Sequence, residues 1–249
     1  MNHNKNIDRA KAMISIAKRA GASAVKMQAY DADSLTIPSE RTEFMLKSGT
    51  WKGKNLYALY QEASTPFEWF PELFEYADME NITLFSSVFD ERGLSTLENC
   101  NAPAYKIASA DITDIPLIEL IASKQLPIFI STGMASDDEI IEAVDSIKNQ
   151  GNNDIVILHC ITSYPTNFED ANLSMIRSLT NQFPNHVIGF SDHTLGTTAA
   201  LCSTFYGSKC IEKHFTYDKK LSTSPDHRLS LDVNDFQKLI SELRISEVS

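Results

Sequence analysis

The sequence lacks the features that mark nucleic-acid-binding and membrane proteins. Its 33 acidic residues outnumber 22 lysines and arginines, for a net charge of −11, and the basic residues form no cluster. Such a charge argues against nucleic acids and acidic membranes as partners. No apolar run approaches the ~20 residues of a membrane helix, and no signal peptide precedes the first helix pattern. We therefore expect a cytoplasmic protein with neither kind of partner.

Cysteine is scarce too, and its spacing gives no CxxC pair. The four residues are Cys100, Cys160, Cys202 and Cys210, mostly within apolar segments, so we expect reduced thiols. The chain of 249 residues is 43% hydrophobic and 22% charged, which excludes a disordered protein and fits one large domain or two small ones. Because no linker or repeat is visible, we predict a single domain over residues 1–249.

Strand-like and helix-like patterns alternate along the chain. The apolar residues between 10 and 17 follow one helix face, and Gly21 supplies a stop. Residues 31–64 look irregular except for a short helix near 56–62. We predict seven strands, at 24–30, 83–89, 104–109, 127–132, 155–160, 187–193 and 210–216, and further helices from Thr65 and at 91–100, 114–123, 136–149, 171–182, 196–207 and 233–245.

This alternation predicts an α/β fold in which helices cover a parallel sheet. Residues 155–158 are apolar on both faces, as buried parallel strands are. A (β/α)8 TIM barrel has eight strands and eight helices and begins with a strand. Seven strands and eight helices, with a helix first, therefore predict a TIM barrel that lacks its first strand. An open doubly wound sheet is the competing architecture.

The carboxyl ends of the predicted strands, where barrel enzymes place their chemistry, are polar. Two lysines and several hydroxyls meet at this rim and predict an anion site, with phosphate as the anion. Two histidines on consecutive strands are placed to share a divalent metal such as Mn²⁺, Zn²⁺ or Fe²⁺, acting as a Lewis acid. The rim residues are Lys26, Gln28, Ser87, Lys106, Ser109, Asp111, Ser131, Thr162, Tyr164, Ser191, His193 and His214.

Taken singly, such residues have plainer interpretations. A lone lysine at a strand end is commonly solvated, and a lone histidine in a strand is commonly bonded within the core. We assign His159 to the core and His186 to the opposite rim, and we leave open whether Asp226 and His227 reach the site. The combination of lysines, hydroxyls and paired histidines favours a functional site.

In their order, these motifs resemble the sialic acid synthase family, whose members condense phosphoenolpyruvate with amino sugars. The resemblance covers nearly the whole chain. The matching segments lie at residues 2–4 (Asn-His-Asn), 24–28, 85–90, 103–109, 130–135, 159–166, 189–196 (Gly-Phe-Ser-Asp-His-Thr-Leu-Gly), 211–216 (Ile-Glu-Lys-His-Phe-Thr) and 225–227.

The resemblance implies a reaction and roles for the rim residues. Carbon 3 of phosphoenolpyruvate attacks the aldehyde of an open-chain N-acetylated sugar, water attacks carbon 2, and phosphate leaves. His193 and His214 would bind Mn²⁺, with Mg²⁺ or Co²⁺ as alternatives, and Asp111 stands where relatives often carry a glutamate linked to water attack. With Lys106, these are the expected catalytic residues. The expected substrate-binding residues are Lys26, Gln28, Ser87, Ser109, Ser131, Thr162, Tyr164, Ser191 and Asp226.

Two departures from the family pattern leave several functions open. Relatives have a strand before the Asn-His motif and usually a C-terminal antifreeze-like domain, and we expect this chain to have neither. It is then an active synthase or a truncated, inactive barrel that only binds substrate or a partner chain; a metal-dependent hydrolase is a weaker candidate. Subfamily motifs are mixed, so the sugar is N-acetylmannosamine or a deoxy-diacetamido hexose. A homodimer is also left open.

Overall fold

A single parallel sheet organises the residues described by the computed structural model, which are 2–47, 52–221 and 226–247. Its strands follow chain order from β1 to β7. A doubly wound sheet reverses its strand order at a switch point, so this unbroken order excludes the open doubly wound sheet and confirms a TIM-barrel-like fold. The strands are Ala24–Ala29 (β1), Thr83–Val88 (β2), Tyr105–Ile107 (β3), Ile128–Ser131 (β4), Ile155–Cys160 (β5), Val187–Asp192 (β6) and Ile211–Lys213 (β7).

The helices lie between the strands, as predicted, with ends shifted by a few residues. Short helices also interrupt the segment that was expected to be irregular. Those that the structure describes are Ile7–Ala20 (α1), Ala32–Leu35 (α2), Leu56–Ala63 (α3), Phe70–Met79 (α4), Glu91–Asn99 (α5), Ile115–Ala122 (α6), Asp137–Asn149 (α7), Ser174–Gln182 (α8), Thr198–Phe205 (α9), Asp226–Leu229 (α10) and Val233–Glu247 (α11).

One predicted helix start is wrong. The helix expected from Thr65 begins at Phe70, after a 3₁₀ turn. The Thr65 hydroxyl does not cap a helix but lies 3.0 Å from His3 Nε2. The backbone N–H of Lys5 donates to His3 Nδ1, so the ring proton is on Nε2 and donates to Thr65. This contact ties the chain start to the loop before α4.

The core fills the layer between sheet and helices. Leu73 of α4, Ile118 of α6 and Ile147 of α7 are fully buried there, against strand residues such as Ile130 and Ile157. Each such side chain contributes about 1.5–3 kcal/mol relative to an exposed one. The result is a rigid frame whose strands deliver their last residues to one rim.

The sheet is open between its first and last strands, a gap that we call the seam. Within the described residues, no strand pairs with the outer edge of β1 or β7. A cavity of about 1030 Å³ occupies the seam. A salt bridge from Lys26 Nζ on β1 to Glu212 Oε2 on β7, 2.8 Å long, spans it. Apolar residues of α1 and α11 line the cavity: Ala10, Met13, Ile14, Ala17, Phe236, Leu239, Ile240 and Leu243.

An added strand should fill the seam. The Asn2 side-chain amide donates to the Phe215 carbonyl at 2.8 Å, which places the chain start beside the end of β7. We predict that an apolar segment of about six residues, fused ahead of residue 1, raises the melting temperature by about 5 °C, because it would pair both free edges and bury apolar surface. Calorimetry measures this. A Gly/Ser segment of equal length is the control, and equal melting temperatures for the two fusions would contradict the prediction.

Candidate active site

A buried lysine forms the floor of the rim site. Lys106 on β3 is 2% exposed. Its Nζ donates to Ser131 Oγ at 2.6 Å and to the Ile107 carbonyl at 2.9 Å. Burial lowers the pKa of Lys106 to about 8, against the opposing effect of the Glu212 charge. The ammonium is therefore mainly protonated at neutral pH and has few compensating contacts, as an anion-binding group requires.

The turn after β4 closes tightly onto the neighbouring strand ends. The backbone N–H of Gly133 donates to Ser109 Oγ at 3.1 Å. A Cβ at this position would lie 2.7 Å from Thr162 Cγ2 and 2.8 Å from Ser109 Oγ, so only glycine fits. Ser109 and Thr162 thereby lie beside the end of β4, whose Ser131 accepts from Lys106.

The second lysine is paired with a buried carboxylate. Glu212 accepts hydrogen bonds from Lys26 Nζ and from Ser191 Oγ, both at 2.8 Å. Burial favours the neutral acid, but the charges of Lys26 and Lys106 prevail and hold the pKa of Glu212 well below its usual range. The centre thus carries two cations and one anion, which leaves it net positive inside an acidic protein.

Two neutral histidines face each other beside this centre. The rings of His193 and His214 are 5.2 Å apart. Burial lowers the pKa of each imidazole to about 4, with further lowering from the partner ring for His193 and from Lys26 for His214. His193 Nδ1 lies 2.8 Å from the Ile161 carbonyl, which only accepts, so Nδ1 carries the proton. The Nε2 lone pair of His193 is then available to a ligand.

This pair fits a divalent metal in an open site. A metal-binding histidine commonly donates its other ring N–H to a carbonyl, as His193 does. Asp226 Oδ2 lies 3.7 Å from His214 Nδ1, on the side suited to orienting that ring. Within the described ranges, no three His, Cys, Asp or Glu side chains gather as a complete metal shell. Two protein nitrogens would leave the remaining positions to oxygen atoms of substrate and water.

Three further predicted residues surround the histidines. The Tyr164 ring lies 4.2 Å from that of His193. Gln28, an exposed residue next to the end of β1, lines the seam cavity together with Lys26 and Asp226. Residue 225 of the family-like motif at 225–227 lies outside the described residues.

Two polar groups at the strand ends lack partners. Asp111 lies in the 3₁₀ turn Ser109–Asp111 after β3, and no hydrogen bond reaches its Oδ2 from the residues that the structure describes. Burial, reinforced by the Asp114 charge, raises the pKa of Asp111 to about 6. Ser87 Oγ, on the strand beside Lys106, is likewise buried and unpartnered among those residues. Both groups can receive a substrate or water.

Three other histidines lie in β5, before β6 and in α10. His159 Nε2 bonds the Ala171 carbonyl at 2.9 Å, and its ring stacks on Phe190. His227 is 1% exposed and bonds Thr216 Oγ1 through Nδ1 at 2.8 Å. His186 precedes β6, at the rim opposite the site.

Comparison with known proteins decides the family. Residues 13–249 match the model of the NeuB family. The chain belongs to the NeuB family. Pseudaminic acid synthase of Campylobacter jejuni is 39% identical over 246 residues, covering 99% of this chain and 71% of that protein. N,N'-diacetyllegionaminic acid synthase of Legionella pneumophila is 35% identical over 252 residues, covering 99% and 70%.

A solved NeuB-family structure has the same fold. The N-acetylneuraminic acid synthetase of Leptospira borgpetersenii, crystallised with citrate, superimposes with a TM-score of 0.88 at 33% identity, covering 99% of this chain and 81% of that one. The barrel-like architecture and the sequence resemblance therefore agree.

The NeuB-family site contains one residue that the sequence pattern did not single out. Glu212 is the only buried acid that contacts Lys26 among the described residues. A signal existed, because Glu212 stands two residues before His214 on the same strand, and side chains two apart share a face. Its partner Lys26 lies on β1 at the far end of the chain, so the sequence alone did not indicate the pair.

Asp111 gives a testable dependence of stability on pH. Its folded pKa of about 6 is above the ordinary 3.8, so its protonated form is favoured by folding, and that stability is lost as pH rises through 6. Asp111→Asn should therefore raise the free energy of unfolding at about pH 7.5 by up to about 3 kcal/mol, and change it little at about pH 4. Urea unfolding at both pH values measures this. Exposed Asp78→Asn is the control; an Asp111→Asn gain that is the same at both pH values would contradict the assignment.

Proposed function

We propose that this protein is a nonulosonic acid synthase, a transferase that condenses phosphoenolpyruvate with an open-chain N-acetylated amino sugar. The products are a nine-carbon 2-keto acid and phosphate. The observation that carries this proposal is the juxtaposition, on one rim, of two lysines and a group of serine hydroxyls with two neutral histidines. The names of the relatives, pseudaminic and legionaminic acid synthases, support the same reaction class.

Phosphoenolpyruvate would bind at the net-positive centre. Its phosphate and carboxylate groups are matched by Lys26 and Lys106, with the serine hydroxyls supplying neutral donors. Lys106 is buried and Lys26 is partly buried, and the exclusion of water strengthens the charge–charge contacts, most of all at Lys106. The proposed binding residues are Lys26, Ser87, Lys106, Ser109, Ser131 and Ser191, with Thr162 alongside.

The amino sugar would bind on the histidine side. Gln28, Tyr164 and Asp226 lie around His193 and His214 and would contact its hydroxyl and acetamido groups. A divalent metal held by the two histidines, which we propose to be Mn²⁺ with Mg²⁺ or Co²⁺ as alternatives, would polarise the sugar aldehyde.

The residues of the chain would then orient the two substrates and transfer protons. With both substrates held, carbon 3 of the enol forms a bond to the aldehyde carbon, and the former carbonyl oxygen takes a proton. Water adds to carbon 2, its proton passing to Asp111, whose pKa of about 6 suits a group that exchanges protons near neutrality. The bond from carbon 2 to the phosphate oxygen breaks and the new carbon-2 hydroxyl loses its proton to become the keto oxygen. Inorganic phosphate leaves, and the two protons of the water balance those taken up by the sugar oxygen and the phosphate.

A mass measurement tests the proposal. The protein is incubated with phosphoenolpyruvate, Mn²⁺ and a panel of N-acetylated amino sugars, and we expect a 2-keto acid together with one equivalent of phosphate. A deoxy-diacetamido hexose is the first sugar to test, because the pseudaminic acid synthases are 39–40% identical and the legionaminic ones 34–35%. No product with any sugar would overturn the proposal and favour a barrel that only binds substrate.

The assembled site argues against an inactive barrel and against a metal-dependent hydrolase. An inactive barrel has no need for a buried, charged Lys106, which costs free energy without a ligand. A metal-dependent hydrolase normally uses more protein ligands than the described residues bring together. No helix in the described ranges is long and apolar enough to cross a membrane. Cytoplasmic location and a homodimer stay predictions.

A further inference from the structure

A buried ion pair lies directly behind the two histidines. Asp192 and Lys213 are register partners at the ends of β6 and β7, and each immediately precedes one of the histidines. Their side chains are 0% and 1% exposed, and Lys213 Nζ lies 2.7 Å from Asp192 Oδ2. Successive residues of a strand point to opposite faces, so this pair is on the side of the sheet away from His193 and His214.

The pair is hydrogen-bonded to the backbone next to His193. Lys213 Nζ also donates to the Thr194 carbonyl at 2.6 Å, and the Thr194 N–H donates to Asp192 Oδ1 at 2.8 Å. The residues before and after His193 are thus both bonded to one network. That network includes the residue before His214, so the two histidines are linked through their neighbours.

Stability alone is a poor explanation for this arrangement. Removing two charges from water costs several kcal/mol per ion, and replacing a buried ion pair with apolar residues of similar volume is often neutral or stabilising. A fully hydrogen-bonded pair does fix the relative positions of the groups that it joins, because each donor and acceptor is held by a specific partner. Here the fixed geometry is the relative position of two strand ends.

We propose that Asp192 and Lys213 are positioning residues that hold the imidazoles of His193 and His214 at the separation required to bind one divalent cation. This inference rests on the metal site of the proposed function. Groups that hydrogen-bond metal ligands change metal affinity by about 10–100-fold when replaced, and because this pair acts through the adjoining backbone we expect an effect at the lower end of that range.

The test measures metal affinity without substrate. In Asp192→Asn/Lys213→Met, both charges are removed together, the Asn oxygen can still accept from Thr194, and Met fills the space of the lysine stem. We expect the Kd for Mn²⁺, from the free-ion signal in electron paramagnetic resonance, to rise about tenfold. The matched control is Asp145→Asn/Lys148→Met, the same replacements at an exposed pair on α7, which should leave the Kd unchanged.

The outcomes separate this inference from the proposed function. An unchanged Kd with a lowered melting temperature would show a purely structural role and overturn the inference alone. Wild-type protein that binds no Mn²⁺ would overturn this inference, whereas the proposed function is decided separately, by the measurement of product mass. If the double variant does not fold, Asp192→Glu is measured, which keeps both buried charges and displaces the carboxylate by one methylene, with an expected rise of about threefold; an unchanged Kd there would again overturn the inference.

Discussion

Replacement of His214 with alanine should lower product formation on the order of a thousandfold, because the variant loses one of two nitrogens that would hold the metal and polarise the sugar aldehyde. The fold should persist, since the main-chain pairing of β7 with β6 does not depend on this side chain. The rate of product formation is measured at saturating Mn²⁺, and circular dichroism measures whether the variant is folded.

The control for this variant is His186→Ala. His186 lies at the opposite rim, so the same replacement there should leave the rate of product formation unchanged. Undiminished activity of His214→Ala at saturating metal would refute the assignment of His214 as a ligand. Equal losses in both variants would point instead to a general effect on the fold.

Replacement of Lys106 with methionine should raise the KM for phosphoenolpyruvate about a hundredfold. Methionine keeps much of the length of the side chain but removes a buried charge, and one charge-assisted hydrogen bond contributes about 1.5–3 kcal/mol. The remaining charges of Lys26 and Glu212 would cancel, so the centre would lose its net positive charge. Isothermal titration with phosphoenolpyruvate measures the binding step directly.

Lys148→Met is the matched control, because Lys148 is a half-exposed lysine on α7, away from the rim. We expect its binding isotherm to equal that of the wild type. A normal isotherm for Lys106→Met would show that this lysine serves the fold and not the substrate, and the anion site would then have to rest on Lys26.

The sequence predicted the architecture because local pattern and tertiary role agree in most elements. The apolar run of β5 has the bounds that were predicted, and the helix predicted at 136–149 is α7, which begins at a capping box formed by Ser136 and Glu139. β3 is shorter than predicted because the chain turns at Ser109, whose hydroxyl is bonded to Gly133. That contact joins two strands, and no pattern within either one reveals it.

Site residues could be predicted where their position along a strand determines their location in the fold. They could not be predicted where the site depends on contacts between distant segments. Lys106 and His193 could be placed because residues at the ends of parallel strands reach the same rim. Lys26 and Glu212 are separated by 186 positions in the sequence, and Thr65 and His3 are separated by 62. Sequence patterns relate residues that are close along the chain, so these two contacts become visible only in the folded structure.

The seam determines which strands unfold locally most easily. β3 to β5 are hydrogen-bonded on both sides, whereas β1 and β7 are each bonded on one side and face each other through the salt bridge of Lys26 and Glu212. Local unfolding should therefore start at these two strands, and their amide hydrogens should exchange before those of the central strands. Lys26 and His214 lie on opposite sides of the seam. A ligand that contacts both would join the two edges, so substrate binding should slow exchange most in the strands that open first.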